Sequence, residues 1–579
     1  MLLTRLRSRF ALVALGGVLV TACVTPRAGG VATPSPTPTP APAPSSGATA
    51  DAVTPAPSIA PTEAPRDWQL LDAGADRVPG TSARRAEREL LAGRRPARTV
   101  VVAVIDGGID TAHVDLEGSL WRNPREVAGN ARDDDGNGYV DDTFGWNFLG
   151  GATGENVNWD TLELTREHVR CTSAGLTRDG AGPGGASSTS AAAVADSTRE
   201  RCAGIAEKFQ AKRQELQAMS QQIQMMDGMY ARVVRVLGQL VPADSLTVER
   251  VTALTPSADS VRAARDLFLR MAASGINGQV LQDAREDVEG QLAYGLNPDF
   301  NPRRIVGDDP ADGTQRLYGN RDVMGPDAKH GTHVAGIIGA VRDNGGIDGV
   351  AGSVQLMMLR AVPNGDEHDK DVANAIRYAV DHGAQIINMS FGKGFSPQKR
   401  LVDEAVKYAD SKGVLMIHAA GNDGEDLATA ESYPTPEYLD GGRAANWLEV
   451  GASSWKGGGE LAAPFTNYGK ERVDLFAPGV DILSTVPGGG YARESGTSMA
   501  APVVSGVAAL LMSYFPSLTA ADVKQLLLET ATPYGDTMVA RPGSEGGEKV
   551  RFGDLSRTGA IVNAHAAVKA ALARTGSVQ

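Results

Sequence analysis

The run Thr99-Val100-Val101-Val102-Ala103-Val104-Ile105 is β-branched or apolar at every position and ends in Asp106, Gly107 and Gly108. A strand that is apolar on both faces must be covered on both faces, which points to an α/β fold with a mostly parallel sheet between helices. Catalytic and ligand-binding groups of open α/β sheets gather at the carboxyl ends of strands, where Asp106 stands. A strand followed by Asp-Gly occurs in many folds, and there the Asp is as often a turn residue. A second segment, His330-Gly331-Thr332-His333-Val334-Ala335-Gly336, runs into Ile337-Ile338 as a helix of small residues able to pack closely on a sheet. Its two histidines lack the i, i+4 spacing around a Glu that zinc peptidases use. A third, Gly496-Thr497-Ser498-Met499-Ala500-Ala501-Pro502, leads into an almost wholly apolar stretch ending at Met512. It reads as a buried helix with Ser498 at its N-terminus and Pro502 in its first turn, where a missing N–H costs least. Ala500 stands where a nucleophile elbow would have its second Gly.

Taken in chain order, Asp106, His330 and Ser498 with these flanks resemble the three catalytic boxes of the subtilases, the subtilisin-like serine peptidases. The buried strand Val414-Leu415-Met416-Ile417-His418-Ala419-Ala420 ends in Gly421-Asn422, where the family carries its oxyanion asparagine. Ile386-Ile387-Asn388-Met389-Ser390-Phe391-Gly392 resembles the strand that lines the family's substrate cleft. The resemblance implies a subtilisin-like three-layer fold and a catalytic set of Asp106, His330, Ser498 and Asn422. Ser498 would attack, His330 would take and return its proton, Asp106 would hold the imidazole, and Asn422 would donate to the oxyanion. Ser390, Phe391 and Gly392 would pair with an extended substrate, and the small Ala419, Ala420 and Gly421 would leave an open primary pocket. The family usually has Ser or Thr after the catalytic Asp. Here Gly107 removes that hydroxyl, which is expected to lower the rate without abolishing catalysis. No cofactor is expected to enter the chemistry. His333 and His418 read as core histidines.

The same resemblance suggests a structural calcium site. The offsets of Asp115 and of residues 341–347 from the catalytic residues match a subtilisin site in which Asp115 and the side chain of Asp343 are ligands, with the carbonyls of Val341, Gly345 and Ile347. The alternative is a solvated turn. The acidic stretch Asp133-Asp134-Asp135-Gly136-Asn137-Gly138-Tyr139-Val140-Asp141-Asp142 has the early spacing of an EF-hand loop, but Phe144 occupies the place of the closing Glu. A local calcium turn and an acidic hairpin-like turn both remain open.

Asp106 and His330 are 224 residues apart, whereas compact subtilases separate them by a few tens. An insertion over 152–315 accounts for the excess. Ile205, Phe209, Leu216, Met219, Ile223, Met226, Tyr230, Val233, Leu237 and Leu240 recur at three- and four-residue steps, the seam of a helix. Stretches near 257–274 and 277–295 would pack back on it as a helical hairpin or small bundle.

Arg5, Arg7 and Arg9 precede an apolar run too short to span a bilayer, a signal peptide over residues 1–22. Val20-Thr21-Ala22-Cys23 resembles a bacterial lipobox, which would make Cys23 the lipidated N-terminus, and Val24 resembles outer-membrane sorting in Gram-negative bacteria. Residues 23–65, rich in Pro, Ala, Thr and Ser, read as a disordered tether, since they offer almost no large apolar surface to bury. Outside the cytoplasm thiols oxidise, so the two remaining cysteines, Cys171 and Cys202, are expected to form a disulfide. With 56 basic against 69 acidic residues the net charge is −13, which argues against nucleic acid as a partner.

The expected organisation is therefore signal peptide, tether, a lead-in over 66–98, a catalytic domain in two parts at 99–151 and 316–579, and the helical insertion between them. The expected function is that of a lipid-anchored serine endopeptidase acting on proteins or peptides outside the cytoplasm. The alternative is a catalytically silent binding or scaffold lipoprotein on the same fold. A carboxyl peptidase of the sedolisin type is disfavoured, because such enzymes use Glu where this chain has His330.

Overall fold

The computed structural model describes residues 63–176, 189–242, 245–544 and 547–576. Cys23, the signal peptide and nearly all of the tether lie outside them. The apolar runs form the centre of a nine-stranded sheet. In chain order its strands are β1 (Val100–Asp106), β2 (Gly145–Asn147), β3 (Val354–Arg360), β4 (Ile386–Met389), β5 (Leu415–Ala419), β6 (Trp447–Ser453) and β7 (Leu475–Pro478). A hairpin of β8 (Ile482–Val486) and β9 (Gly490–Glu494) follows, then β10 (Thr532–Pro533), the small pair β11 (Met538–Ala540) and β12 (Lys549–Arg551), and β13 (Ala560–Ile561). The spatial order is β10-β13-β7-β6-β5-β4-β1-β3-β2, parallel except for β10 against β13. β1 lies between β3 and β4, with Asp106 level with Arg360 and Ile105 level with Met389. The chain leaves β1 toward one edge and returns past it to the other, so the crevice of a sheet whose winding reverses opens at the end of β1.

The insertion holds α1 (Glu163–Ser173), α2 (Thr189–Leu237), α3 (Asp259–Ala273) and α4 (Gly278–Gly290); the catalytic part then adds α5 (Lys329–Gly339), α6 (Asp369–Asp381), α7 (Lys399–Ser411), α8 (Thr497–Tyr514), α9 (Ala520–Glu529) and α10 (Ala564–Thr575). One face of the sheet is covered by α5, α8, α9 and α10, which share a core with Val102, Val104, Leu448 and Leu475. The other is covered by α6 and α7, whose Ile376, Tyr378, Ala405 and Val406 pack on Ala103, Ile105 and Ile387. The result is the three-layer α/β arrangement the strand patterns imply. The mostly Ala, Val and Leu helix α8 is buried from Thr497 through Ser513; each large aliphatic side chain so buried contributes about 1.5–3 kcal/mol. The lead-in is tied down as well. Trp68 is fully buried, and its indole N–H donates to Val480 O at 2.9 Å.

In the insertion, Phe209, Leu216, Met219, Ile223 and Met226 of α2 meet Met271, Leu281, Ala284 and Val288. Farther along, Val233 and Leu237 meet Ala264 and Phe268. The seam stops there: Leu240 lies past the end of α2 and is exposed. Cys171 and Cys202 are joined with Cα atoms 5.5 Å apart, fastening α1 to α2. Buried cations hold the base of the insertion to the sheet. Arg360 on β3 donates to Asn147 Oδ1 at 3.1 Å and to Val157 O. Arg303 pairs with Asp371 of α6 at 2.6 Å, and Lys370 with Asp308 at 2.8 Å.

Candidate active site

Asp106 ends β1 and is 2% exposed. Its Oδ1 accepts the Gly107 N–H at 2.7 Å and faces His330 Nδ1 at 2.8 Å. The close approach of α5 that brings His330 there needs Gly331, where a Cβ would stand 2.2 Å from Gly108 O. Asp106 Oδ2 is buried with no hydrogen-bond partner. Burial opposes charge on the His330 ring, but the neighbouring Asp106 charge and hydrogen bond outweigh it and raise the imidazole pKa above its ordinary value. Nδ1 is committed to Asp106, so Nε2 is the nitrogen left for a proton from substrate or nucleophile.

Ser498 is the second residue of α8, with Gly496 ahead of the helix contributing no side-chain cap. Its hydroxyl donates to Ser390 O at 3.1 Å. α8 begins early enough to make Pro502 its sixth residue and not a first-turn residue, a correction to the sequence reading with a structural consequence. The Ser498 carbonyl receives no N–H from Pro502 and instead accepts the Ser390 hydroxyl at 2.9 Å. Asn388 Nδ2 donates to that hydroxyl's oxygen at 2.9 Å, and Ser505 Oγ donates to Asn388 Oδ1 at 2.8 Å. Asn422 is aimed by Thr497, whose backbone N–H and hydroxyl both donate to Asn422 Oδ1, at 2.9 and 3.1 Å. The carboxamide's N–H₂ therefore points away from Thr497.

The expected cleft residues are divided. Ser390, Phe391 and Gly392 continue β4, and Gly421, in the left-handed region at φ 104°, continues β5 beside them. A Cβ on Gly392 would be 3.1 Å, and one on Gly421 3.6 Å, from Ser432 Oγ. Ser432 thus lies between the two strand ends, in a loop that no motif marks. Ala419 instead belongs to the core under α8, and Ala420 packs with Leu427 and Phe476. Both methyl groups are buried, on opposite sides of the sheet, because successive residues of a strand face opposite ways. His418 is buried beneath, with Nδ1 2.8 Å from Glu449 and Nε2 2.8 Å from Phe391 O. His333 sits with Nε2 3.1 Å from Ile482 O, and burial lowers its pKa to about 4, so it is neutral.

The residues around Asp115 do not fit a calcium ion. Its carboxylate accepts Asn344 Nδ2 at 2.8 Å, the Ile347 N–H at 3.0 Å and the Tyr491 hydroxyl at 2.9 Å. Asn344, not Asp343, reaches it, and Val341 contributes its N–H to Asp115 O at 2.7 Å. Hydrogen-bond donors surround the carboxylate and take up both its oxygens. In the other acidic loop, Asp141 and Asp142 are taken up by internal partners such as the Gly129 N–H and the Tyr378 hydroxyl. Asp133 and Asp135 join Glu126, which the sequence reading missed. One oxygen of each lies within 4.8 Å of the others, and Glu126 Oε2 is buried with no hydrogen-bond partner. Carboxylate oxygens so grouped are the hard ligands calcium takes, with Glu126 Oε2 free and those of Asp133 and Asp135 also accepting the N–H groups of Asn137 and Gly138.

A family model described as "Subtilase family" matches residues 97–546. The chain is 39% identical over 209 residues to M-protease of Shouchella clausii (strain KSM-K16), covering 36% of this chain and 51% of that protein. It is 37% identical over 243 residues to the thermophilic serine proteinase of Bacillus sp. (strain AK1), covering 42% and 54%. With subtilisin BL of Lederbergia lenta the identity is 38% over 209 residues, covering 36% and 72%. The match thus spans about half the length of the first two relatives.

Proposed function

The chain belongs to the subtilase family, and on that premise we propose that it is a serine endopeptidase that hydrolyses peptide bonds of proteins or peptides, anchored outside the cytoplasm of a bacterium by a lipid on Cys23. The observation that carries the catalytic reading is the 2.8 Å contact of Asp106 Oδ1 with His330 Nδ1, which commits that nitrogen and leaves Nε2 for the nucleophile's proton. Ser498 Oγ turns from Ser390 O to His330 Nε2, gives up its proton and attacks the carbonyl carbon of the scissile peptide. The negative charge that develops on the carbonyl oxygen is met by the Asn422 N–H₂ and the backbone N–H of Ser498. His330 then protonates the leaving amine; water, deprotonated by the same ring, attacks the acyl carbon, and the ring returns that proton to Ser498 Oγ as the acid leaves. Once Ser498 Oγ has turned away, Ser390 O is free to accept an N–H of the extended substrate, and Gly392 continues the pairing.

Glu126, Asp133 and Asp135 are the residues that would hold a structural calcium ion, which would screen three adjacent carboxylates and take no part in the chemistry. The acidic net charge supports a reading without nucleic-acid partners.

The test is labelling with a fluorophosphonate alongside hydrolysis of an unstructured peptide. Labelling and hydrolysis in the native chain, both lost in Ser498→Ala, are expected. A folded protein with neither activity would instead be a silent scaffold. For the anchor, Cys23→Ser is expected to move the protein from the membrane fraction to the soluble one.

A further inference from the structure

The inserted helices have footings on both banks of the cleft. At its far end, past Gly392, the segment leading into α1 pairs with the loop that follows β3. The Asp160 N–H donates to Asn364 O at 3.0 Å, and the Asn364 N–H to Asn158 O at 2.9 Å. Glu163 N–H donates to Asp366 Oδ2 at 2.7 Å, and Arg166 reaches the carbonyl oxygens of Asp366 and Glu367, each at 3.1 Å. From the opposite bank, Lys393 sends its buried ammonium to Glu367 O at 2.7 Å, Asp369 at 2.9 Å and Glu163 at 3.0 Å. The carbonyl oxygens of Asn364, Asp366 and Glu367 are thus already taken, and the two banks are bridged by charge buried in common.

Two further footings stand nearer the catalytic residues. Lys208 of α2 lies over the Phe395 ring at 5.5 Å, and its charge acts on the carboxylate of Glu425, three residues past Asn422. Asp283 of α4 lies 4.0 Å from Lys329, the residue before His330, and Lys329 in turn pairs with Glu494 at 3.2 Å. α2 and α4 are packed together through Phe209, Leu216, Ile223, Leu281, Ala284 and Val288. One member of this pair rests on the Asn422 side and the other on the His330 side, and Cys171–Cys202 fastens α2 to the helix at the end of the groove.

From this we infer that the insertion is a roof, and that polypeptide passes beneath it only as a single extended strand. The inference rests on the peptidase reading above and gives it a substrate class: unfolded chains and short peptides, with the surface loops of folded proteins refused. A loop on a folded body presents two strands and the body behind them, whereas the space under a span with feet on both banks admits a chain that lies along the groove.

The experiment uses the full chain and three substrates: a fluorogenic peptide, a folded carrier protein displaying the same sequence in a surface loop, and that carrier reduced and carboxymethylated so that it is unfolded. A subtilisin without such an insertion serves as reference and is expected to cut all three. For this protein, peptide and unfolded carrier are expected to be cut at rates within about threefold of each other, and the folded loop at least about 100-fold more slowly. Cleavage of the folded loop within about tenfold of the peptide would overturn the roof. No cleavage of any of the three would instead defeat the peptidase reading. Reversing the charge of both footings, in Lys208→Glu with Asp283→Lys, is expected to raise loop cleavage at least about tenfold and to leave the peptide rate within about twofold at a pH where His330 is neutral. A folded variant with unchanged loop refusal would assign the selectivity to the cleft itself and overturn the proposal.

Discussion

Pro502 leaves the Ser498 carbonyl without a helical partner, and the Ser390 hydroxyl occupies the vacant acceptor at 2.9 Å. The start of α8 and the end of β4 are thereby locked to each other. In Pro502→Ala, a new N–H competes for the Ser498 carbonyl and the α-helix loses an unfavourable residue, a change worth up to about 3 kcal/mol. The expected outcome is an unchanged or higher melting temperature with a several-fold lower kcat. Thermal unfolding in a Ser498→Ala background and steady-state kinetics in the active form separate the two effects. A kcat equal to that of the wild type would show that the lock is dispensable.

The acid limb of the rate profile reports His330. The ring must be neutral to accept the Ser498 proton, and Asp106 raises its pKa. Activity is therefore lost as pH falls through a midpoint above the ordinary histidine value of about 6.5. Asp106→Asn is expected to move that midpoint down and to lower kcat by about 10⁴-fold, as in other serine triads. A midpoint at or below the ordinary value in the native enzyme would contradict the arrangement.

His418 and Glu449 supply a stability signature. Burial disfavours the His418 cation, but the Glu449 charge and hydrogen bond prevail and raise its pKa in the folded state. A raised folded pKa makes the contribution fully present below about 6.5 and lost as pH rises through the folded value. Glu449→Gln in a Ser498→Ala background is expected to cost most stability in mild acid, with the gap narrowing toward alkaline pH. Urea unfolding across that range reads the difference; a gap independent of pH would remove the pair from the account.

Calcium is expected to raise the melting temperature of the native chain by a few degrees, with each 1 kcal/mol worth roughly 2–4 °C in a catalytic unit of this size. Glu126→Gln with Asp133→Asn is expected to abolish the response, whereas Asn344→Ala is expected to leave it intact. A chelator that changes nothing would argue for a plain acidic turn.

The three catalytic boxes are legible in the sequence because each is local: an apolar run forces a strand or helix, and the reactive residue sits at its end. The seam of α2 is legible for the same reason. Lys393, Glu163 and Arg166 are not, since nothing near a lone Lys or Glu in the chain announces that residues about 200 positions away will neutralise it in a buried cluster. Nothing in the sequence marks Ser432, whose loop has no periodicity, and Gly496 carries no capping side chain to mark where α8 starts, so the place of Pro502 in the helix is not legible. Around Asp115 the offsets point to a calcium site, but they carry no information on whether the neighbouring loop turns its N–H groups or its carbonyl oxygens inward.

The bond between Cys171 and Cys202 encloses a Gly-, Ser- and Ala-rich stretch of the chain's own sequence. A cut anywhere within that stretch yields two pieces that remain one covalent molecule. On the proposed function, a cut the protein made there in itself would leave a molecule that runs at full mass on a gel until a reductant splits it in two.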